Sequence, residues 1–102
     1  MLDNNKIVSL YDTEQKKLIG VFNSIELSAK YLFANYREKH VNRVSNALSR
    51  KHKILEETIF EFPVAIRIAN PIQVKLLGKD ACMINQDYPQ RMNNKGQIKA
   101  TV

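Results

Sequence analysis

The run Leu18-Ile19-Gly20-Val21-Phe22-Asn23-Ser24-Ile25-Glu26-Leu27-Ser28-Ala29-Lys30-Tyr31-Leu32 changes its hydrophobic period halfway along. Leu18 to Phe22 is an apolar stretch that reads as a strand. From there Ile25, Ala29 and Leu32, with Ser28 and Phe33 beside them, recur at i, i+4 and i+7, one face of a helix. Asn23 is read as the cap, and Glu26, at the third helical position, as the side chain that reaches back. This helix is expected to end near Tyr36. A strand that runs straight into a helix fixes the class of fold.

Upstream, Lys6 to Tyr11 reads as a strand with Ile7, Ser9 and Tyr11 on one side and Lys6, Val8 and Leu10 on the other. Asp12 to Lys17 is polar and turn-forming, so the two strands make a β-hairpin with a longer loop. Gly20 inside the second strand points to a bulge or to a close backbone approach, such as a helix lying over it.

Downstream, Ala34 to His40 is read as a connection and about 41–50 as a second helix. Val41, Val44, Ala47 and Leu48 give it a narrow apolar stripe. Two short helices after a hairpin fit helix-turn-helix geometry. Glu57 to Phe62 alternates, Pro63 interrupts, and Val64 to Ile68 alternates again until Asn70-Pro71 ends it. Ile72, Val74 and Leu76 repeat the period. One or two strands here are expected to return to the hairpin. From Gly78 the periodicity fades, and residues 85–97 read as an extended tail. The expected fold is therefore α+β: an N-terminal β-hairpin, a two-helix helix-turn-helix unit, one or two further strands and an extended C-terminal tail. The domain is placed at 1–77 and the tail or arm at 78–102.

A chain of 102 residues with 44% hydrophobic residues supports one small core. Its single cysteine, Cys82, cannot form an intrachain disulfide or anchor a Cys-rich zinc site, and reads as a small buried hydrophobe. There is no apolar run long enough for a membrane span. The polar start Met1-Leu2-Asp3-Asn4-Asn5-Lys6 is unlike a signal peptide. These features point to a cytoplasmic protein. The abundance of Lys, Asn and Ile, whose codons are AT-rich, points to a low-GC bacterium, plasmid or phage.

The charge is concentrated. Of the net +6, the segment 37–53 supplies Arg37, Lys39, Arg43, Arg50, Lys51 and Lys53 against Glu38 alone. Such confinement is the footprint of a polyanion binder, although a solvated helix face carries charge too. The second helix, with its apolar stripe turned inward, would present Asn42, Arg43, Ser45, Asn46, Ser49 and Arg50. Asn can pair bidentately with adenine and Arg with guanine, and Ser can reach a base edge or a phosphate. Lys51, His52 and Lys53 follow at the helix end, placed for phosphates. The candidate DNA-binding residues are thus Arg37, Lys39, Asn42, Arg43, Ser45, Asn46, Ser49, Arg50, Lys51 and Lys53.

Other candidates carry less. Lys16 and Lys17 in the hairpin loop read as solvated, and Tyr31 and Tyr36 as core or boundary aromatics. His40 and His52 have no further ligand at metal spacing, so no metal and no cofactor is expected. No paired-carboxylate site, nucleophile elbow or phosphate-cradling glycine loop is present, which speaks against an enzyme.

The residues Ile7 to Asp12, Leu18 to Glu26, Ala29-Lys30-Tyr31-Leu32 and Val44-Ser45-Asn46-Ala47-Leu48 resemble the small modular helix-turn-helix repeat attached to intron-encoded homing endonucleases. That pattern has a Tyr-Asp strand end, a Phe-x-Ser-Ile helix entry, an alanine-rich first helix and an Ile-Ser-x-x-Leu-type second helix. The resemblance covers about residues 7–55. It implies sequence-specific DNA binding through the second helix, with Ser45 and Asn46 at the DNA and the hairpin as scaffold. The chain departs from the pattern in three places. The family's Glu one position after Glu26 is missing, the Ala34–His40 connection is long and basic, and Ser49-Arg50-Lys51-His52-Lys53 stands where a glycine is usual. Neither a Gly-Ile-Tyr start nor a His-Asn-His cluster occurs, so the resemblance implies a binding module without a cutting one.

The reading that results is a small basic double-stranded-DNA-binding protein, fit for transcription regulation in a phage or mobile element, with a homodimer or a larger assembly expected because two half-sites multiply affinity. Two alternatives stay open. A protein-interaction module, such as a phage-encoded inhibitor, would dock the basic face on an acidic host protein. RNA binding would use the same patch.

Overall fold

The computed structural model describes residues 6–90 and the backbone of Ile98–Thr101. The polar start at residues 1–5 and the tail reading of residues 91–97 and 102 lie outside the described residues. The fold is α+β. The elements follow as β1 (Val8–Asp12), β2 (Lys17–Phe22), α1 (Ile25–Leu32), α2 (Glu38–Ser49), β3 (Ile54–Leu55), β4 (Val64–Ile68), α3 (Pro71–Leu77), β5 (Cys82–Asn85) and β6 (Ile98–Thr101). The strands share one sheet in the order β3-β4-β1-β2-β5-β6. Every pair is antiparallel except β5–β6, which is parallel.

The hairpin β1–β2 closes on Asp12. Its Oδ1 accepts from the backbone N–H groups of Glu14 (2.8 Å) and Gln15 (3.0 Å), so one carboxylate oxygen holds the turn. Leu10 opposes Gly20 but Tyr11 opposes Leu18, which leaves Ile19 as the extra residue of a bulge. The bulge sends Ile19 and Phe22 into the main core and Leu18 and Val21 to the opposite face. A close approach also exists at Gly20, but β5 makes it, not a helix. A Cβ there would lie 2.7 Å from the Met83 carbonyl oxygen.

One sheet face, through Val8, Leu10, Val64, Ile66, Cys82 and Ile84, packs with α1 and α2 into a single apolar cluster. α1 contributes Ile25, Ala29, Tyr31 and Leu32, and α2 contributes Val41, Val44 and Ala47. The other face is covered by α3, whose Leu77 meets Val21 and Met83. Gln73 pins α3 to the sheet: its Oε1 accepts from Ser9 Oγ (2.6 Å) and its Nε2 donates to Tyr11 Oη (2.7 Å).

The structure corrects several readings. Ser24, not Asn23, caps α1, its Oγ accepting from Leu27 N–H at 3.1 Å. Glu26 instead pairs with Lys30 one turn on, at 2.9 Å. α1 stops at Leu32, short of Tyr36, and α2 begins at Glu38, ahead of Val41. Residues 57–62 are bends rather than a strand, tied down by Ile59 N–H donating to Leu32 O (2.8 Å) and by stacking of Phe60 on Phe62. Ile72, Val74 and Leu76 lie on a helix, not a strand, and all three are exposed. The boundary at residue 77 also moves. Cys82–Asn85 is a fully buried strand paired with β2, inside the stretch read as tail.

Candidate nucleic-acid interface

α2 owes its position to the contrast between its two sides. Val41, Val44 and Ala47 are buried against the core, while Lys39, Asn42, Arg43, Asn46, Ser49 and Arg50 are exposed. At about 100° per residue, Asn42, Asn46, Ser49 and Lys39 lie at the centre of the outward face. Arg43 lies on one flank, and Arg50, expected inside the helix, is instead its C-cap with extended backbone. Ser45 sits on the other flank, half-buried next to Val41 and Leu48. Arg37 precedes the helix and is exposed, Lys51 follows it and is exposed, and Lys53 is half-buried.

The α1–α2 connection is held by His40. Its Nδ1 accepts from the Arg37 backbone N–H at 2.9 Å, the part a Glu plays in an ordinary capping box. Its ring stacks on Phe33 with centroids 4.2 Å apart and planes 7° apart. Burial and the nearby charges of Lys39, Arg43 and Arg37 hold the imidazole pKa below 6.5. The neutral ring with an open lone pair on Nδ1 is therefore the folded form. A protonated ring would turn a donor towards a donor.

The unfolded chain binds the His40 proton more readily than the folded one, so stability is full above the unfolded pKa and is lost as pH falls through the depressed folded value. The urea midpoint is expected to drop between about pH 7.5 and about pH 5.5. The drop should shrink in His40→Gln. An equal drop in that variant would assign the effect to another group.

The polar face is less cationic in space than along the chain. Arg43 Nη2 lies 3.0 Å from Glu57 Oε1, and its guanidinium stands 5.7 Å from the Phe33 ring centroid. Arg43 and Arg50 line a cleft with Glu56 and Glu57, two charges against two. Ser49 Oγ donates to the Ser45 carbonyl at 3.3 Å, and Lys53 Nζ donates to the Arg50 carbonyl at 3.1 Å. Among the described residues, the part of this face without a side-chain partner is Lys39, Asn42 and Asn46. Glu56 and Glu57 were not foreseen as part of this site. The two consecutive carboxylates just past the basic run were the available signal.

Among the described residues there is no cluster of three or more metal-ligating side chains and no helix long and apolar enough to cross a membrane. Cys82 is buried, and burial followed by the nearby Asp80 charge pushes its thiol up to about 11. No family model matches the chain, and neither a curated protein nor a solved structure does.

Proposed function

We propose that this protein binds double-stranded DNA with α2 as the reading element. The observation that carries the proposal is the face formed by Lys39, Asn42, Asn46 and Ser49. It is exposed along the whole helix while the opposite side is locked into the core. A 12-residue helix is about 18 Å long, enough to lie in a major groove. Asn42 and Asn46 are one turn apart and are the side chains suited to adenine edges. Arg43 joins them when a phosphate or a guanine displaces Glu57, an exchange between exposed partners that costs little. The resemblance to the helix-turn-helix repeat supports the same placement.

Selection from a random duplex library, followed by anisotropy titrations in a salt series, tests the reading. Affinity is expected to fall linearly with salt on a log–log plot. Asn46→Ala should cost about tenfold in discrimination between the selected site and a scrambled one. If duplex affinity does not change with salt and Asn42→Ala with Asn46→Ala leaves discrimination intact, the reading is wrong. Recovery of an acidic protein at moderate salt, surviving nuclease treatment and with no duplex binding, would replace it by the protein-docking reading.

A further inference from the structure

The cations that follow α2 do not share the fate of Arg43. Lys51, His52 and Lys53 curve round the edge of the sheet, where the Lys53 carbonyl accepts from Ile66 N–H at 2.9 Å. That contact brings them alongside Arg67 of β4. Together with Ile54 and Ala65 they line a cleft of about 190 Å³ into which no described residue brings a carboxylate. Among the described residues, neither Lys51, Lys53 nor Arg67 forms an ion pair. Lys53 Nζ already covers the Arg50 carbonyl at the negative end of α2. Lys51 and Arg67 are left facing one concavity from two different elements.

We propose that this cleft is a phosphate site, with Arg67 as a binding residue that counting charges along the chain does not reveal. An anion in the cleft gains Coulomb energy from cations on two elements, a gain reduced by solvent because Lys51 and Arg67 are exposed. The cleft has room for a phosphate, since it exceeds several times the ~30 Å³ share of a water molecule. The Arg67 guanidinium suits two phosphate oxygens at once, and Lys51 supplies a point charge. Taking the phosphate from a duplex backbone rests on the function proposed above. The reading face of α2 carries one charge, Lys39, with Arg37 and Arg43 at its margins, so a further phosphate contact adds to the few that position a duplex. Among the described residues this cleft is a second uncompensated cationic surface next to α2 in the chain, after Arg37 and Lys39, and it opens at the sheet edge on the α3 side, where Arg67 pairs with Ser9.

The test uses the whole protein and two probes. With duplex DNA, Arg67→Gln should weaken binding about fivefold for all sequences alike. It should also lower the salt slope by about one, with the preference between sequences unchanged. With inorganic pyrophosphate, the Arg67 Nε–H signal and the amide signals of 51–53 should shift in the native chain and stay still in Lys51→Gln/Arg67→Gln. If native affinity and salt slope persist in Arg67→Gln while Asn46→Ala loses discrimination, the cleft proposal is overturned and the reading helix stands. If pyrophosphate shifts these signals but no duplex binds, the phosphate site stands and the duplex reading falls. If pyrophosphate moves none of them, the site is refuted whatever the duplex does.

Discussion

A Gly20→Val variant is expected to lose about 3 kcal/mol of unfolding free energy, the upper end of what overpacking costs. Gly20 opposes Leu10 of β1 on one side and Ile84 of β5 on the other, so it lies in the middle of the sheet. A Cβ would meet the Met83 carbonyl oxygen at 2.7 Å and the Phe22 ring at 3.1 Å. The ring can tilt away. The carbonyl cannot, because the Val21↔Met83 pairing fixes it. Relief therefore requires β5 to separate from β2, and with it go the burial of Cys82, Met83 and Ile84. Gly20→Ala should lose less, about 1–2 kcal/mol, because only one carbon is added. Urea midpoints measure both, and amide exchange should place the loosening at 82–85 first. Wild-type midpoints in both variants would mean that β5 does not lie against Gly20.

What was legible was local. The hairpin and the start of α1 follow from patterns within a few residues, and the Gly20 irregularity was visible as a glycine inside a strand. The failures have identifiable physical causes. Asn70-Pro71 reads as a stop in the sequence, yet it is a start. Asn70 Oδ1 accepts from Gln73 N–H (2.8 Å), Gln73 Oε1 accepts from Asn70 N–H (3.0 Å), and Pro71 takes the first helical position. The alternation of Ile72, Val74 and Leu76 imitates a strand because this helix is held by Gln73 and Leu77, not by those residues. β5 was missed for the opposite reason. All four of its residues are buried, so they show no alternation at all. His40 began α2 early by capping with an imidazole where the usual signal is a carboxylate.

The candidate site was legible to the extent that one helix determines it. The 3.6-residue period separated Val41, Val44 and Ala47 from Asn42 and Asn46, and the structure keeps that division. Charge did not transfer from chain to space. Arg43 meets Glu57, fourteen positions away, while Arg67 comes from a strand in which the sequence marks no candidate site residue. Neither fact depends on local pattern. Both follow from β3 and β4 folding back beside α2.

The second large effect is expected at Asp12, where Asp12→Ala should cost about 3 kcal/mol, the scale for stripping partners from buried polar groups. Asp12 is 1% exposed. Its Oδ1 holds the hairpin turn, and its Oδ2 accepts from Tyr88 Oη at 2.8 Å. Tyr88 in turn packs edge-on against Phe60 and Phe62. One carboxylate thus joins the first turn of the chain to the segment after β5. Burial alone would raise its pKa. The hydrogen bonds from Gln15 N–H, Tyr88 Oη and Glu14 N–H, with the charge of Lys17, outweigh burial and hold it below 3.8. Tyr88 is pushed the other way, its hydroxyl raised by burial and by the bond to Asp12. In Asp12→Ala the two backbone donors can turn to water, but the Tyr88 hydroxyl loses an anionic partner beside a half-buried ring. Asp12→Asn keeps the shape and one acceptor and should lose about 1 kcal/mol. Because the folded pKa is depressed, the stability Asp12 adds is complete above the unfolded value of about 3.9 and disappears as pH falls through the folded one. The acid limb of the stability curve should therefore be shallower in Asp12→Asn than in the native chain. Identical acid limbs, together with unchanged neutral midpoints in both variants, would show that Asp12 does not bind the turn to Tyr88.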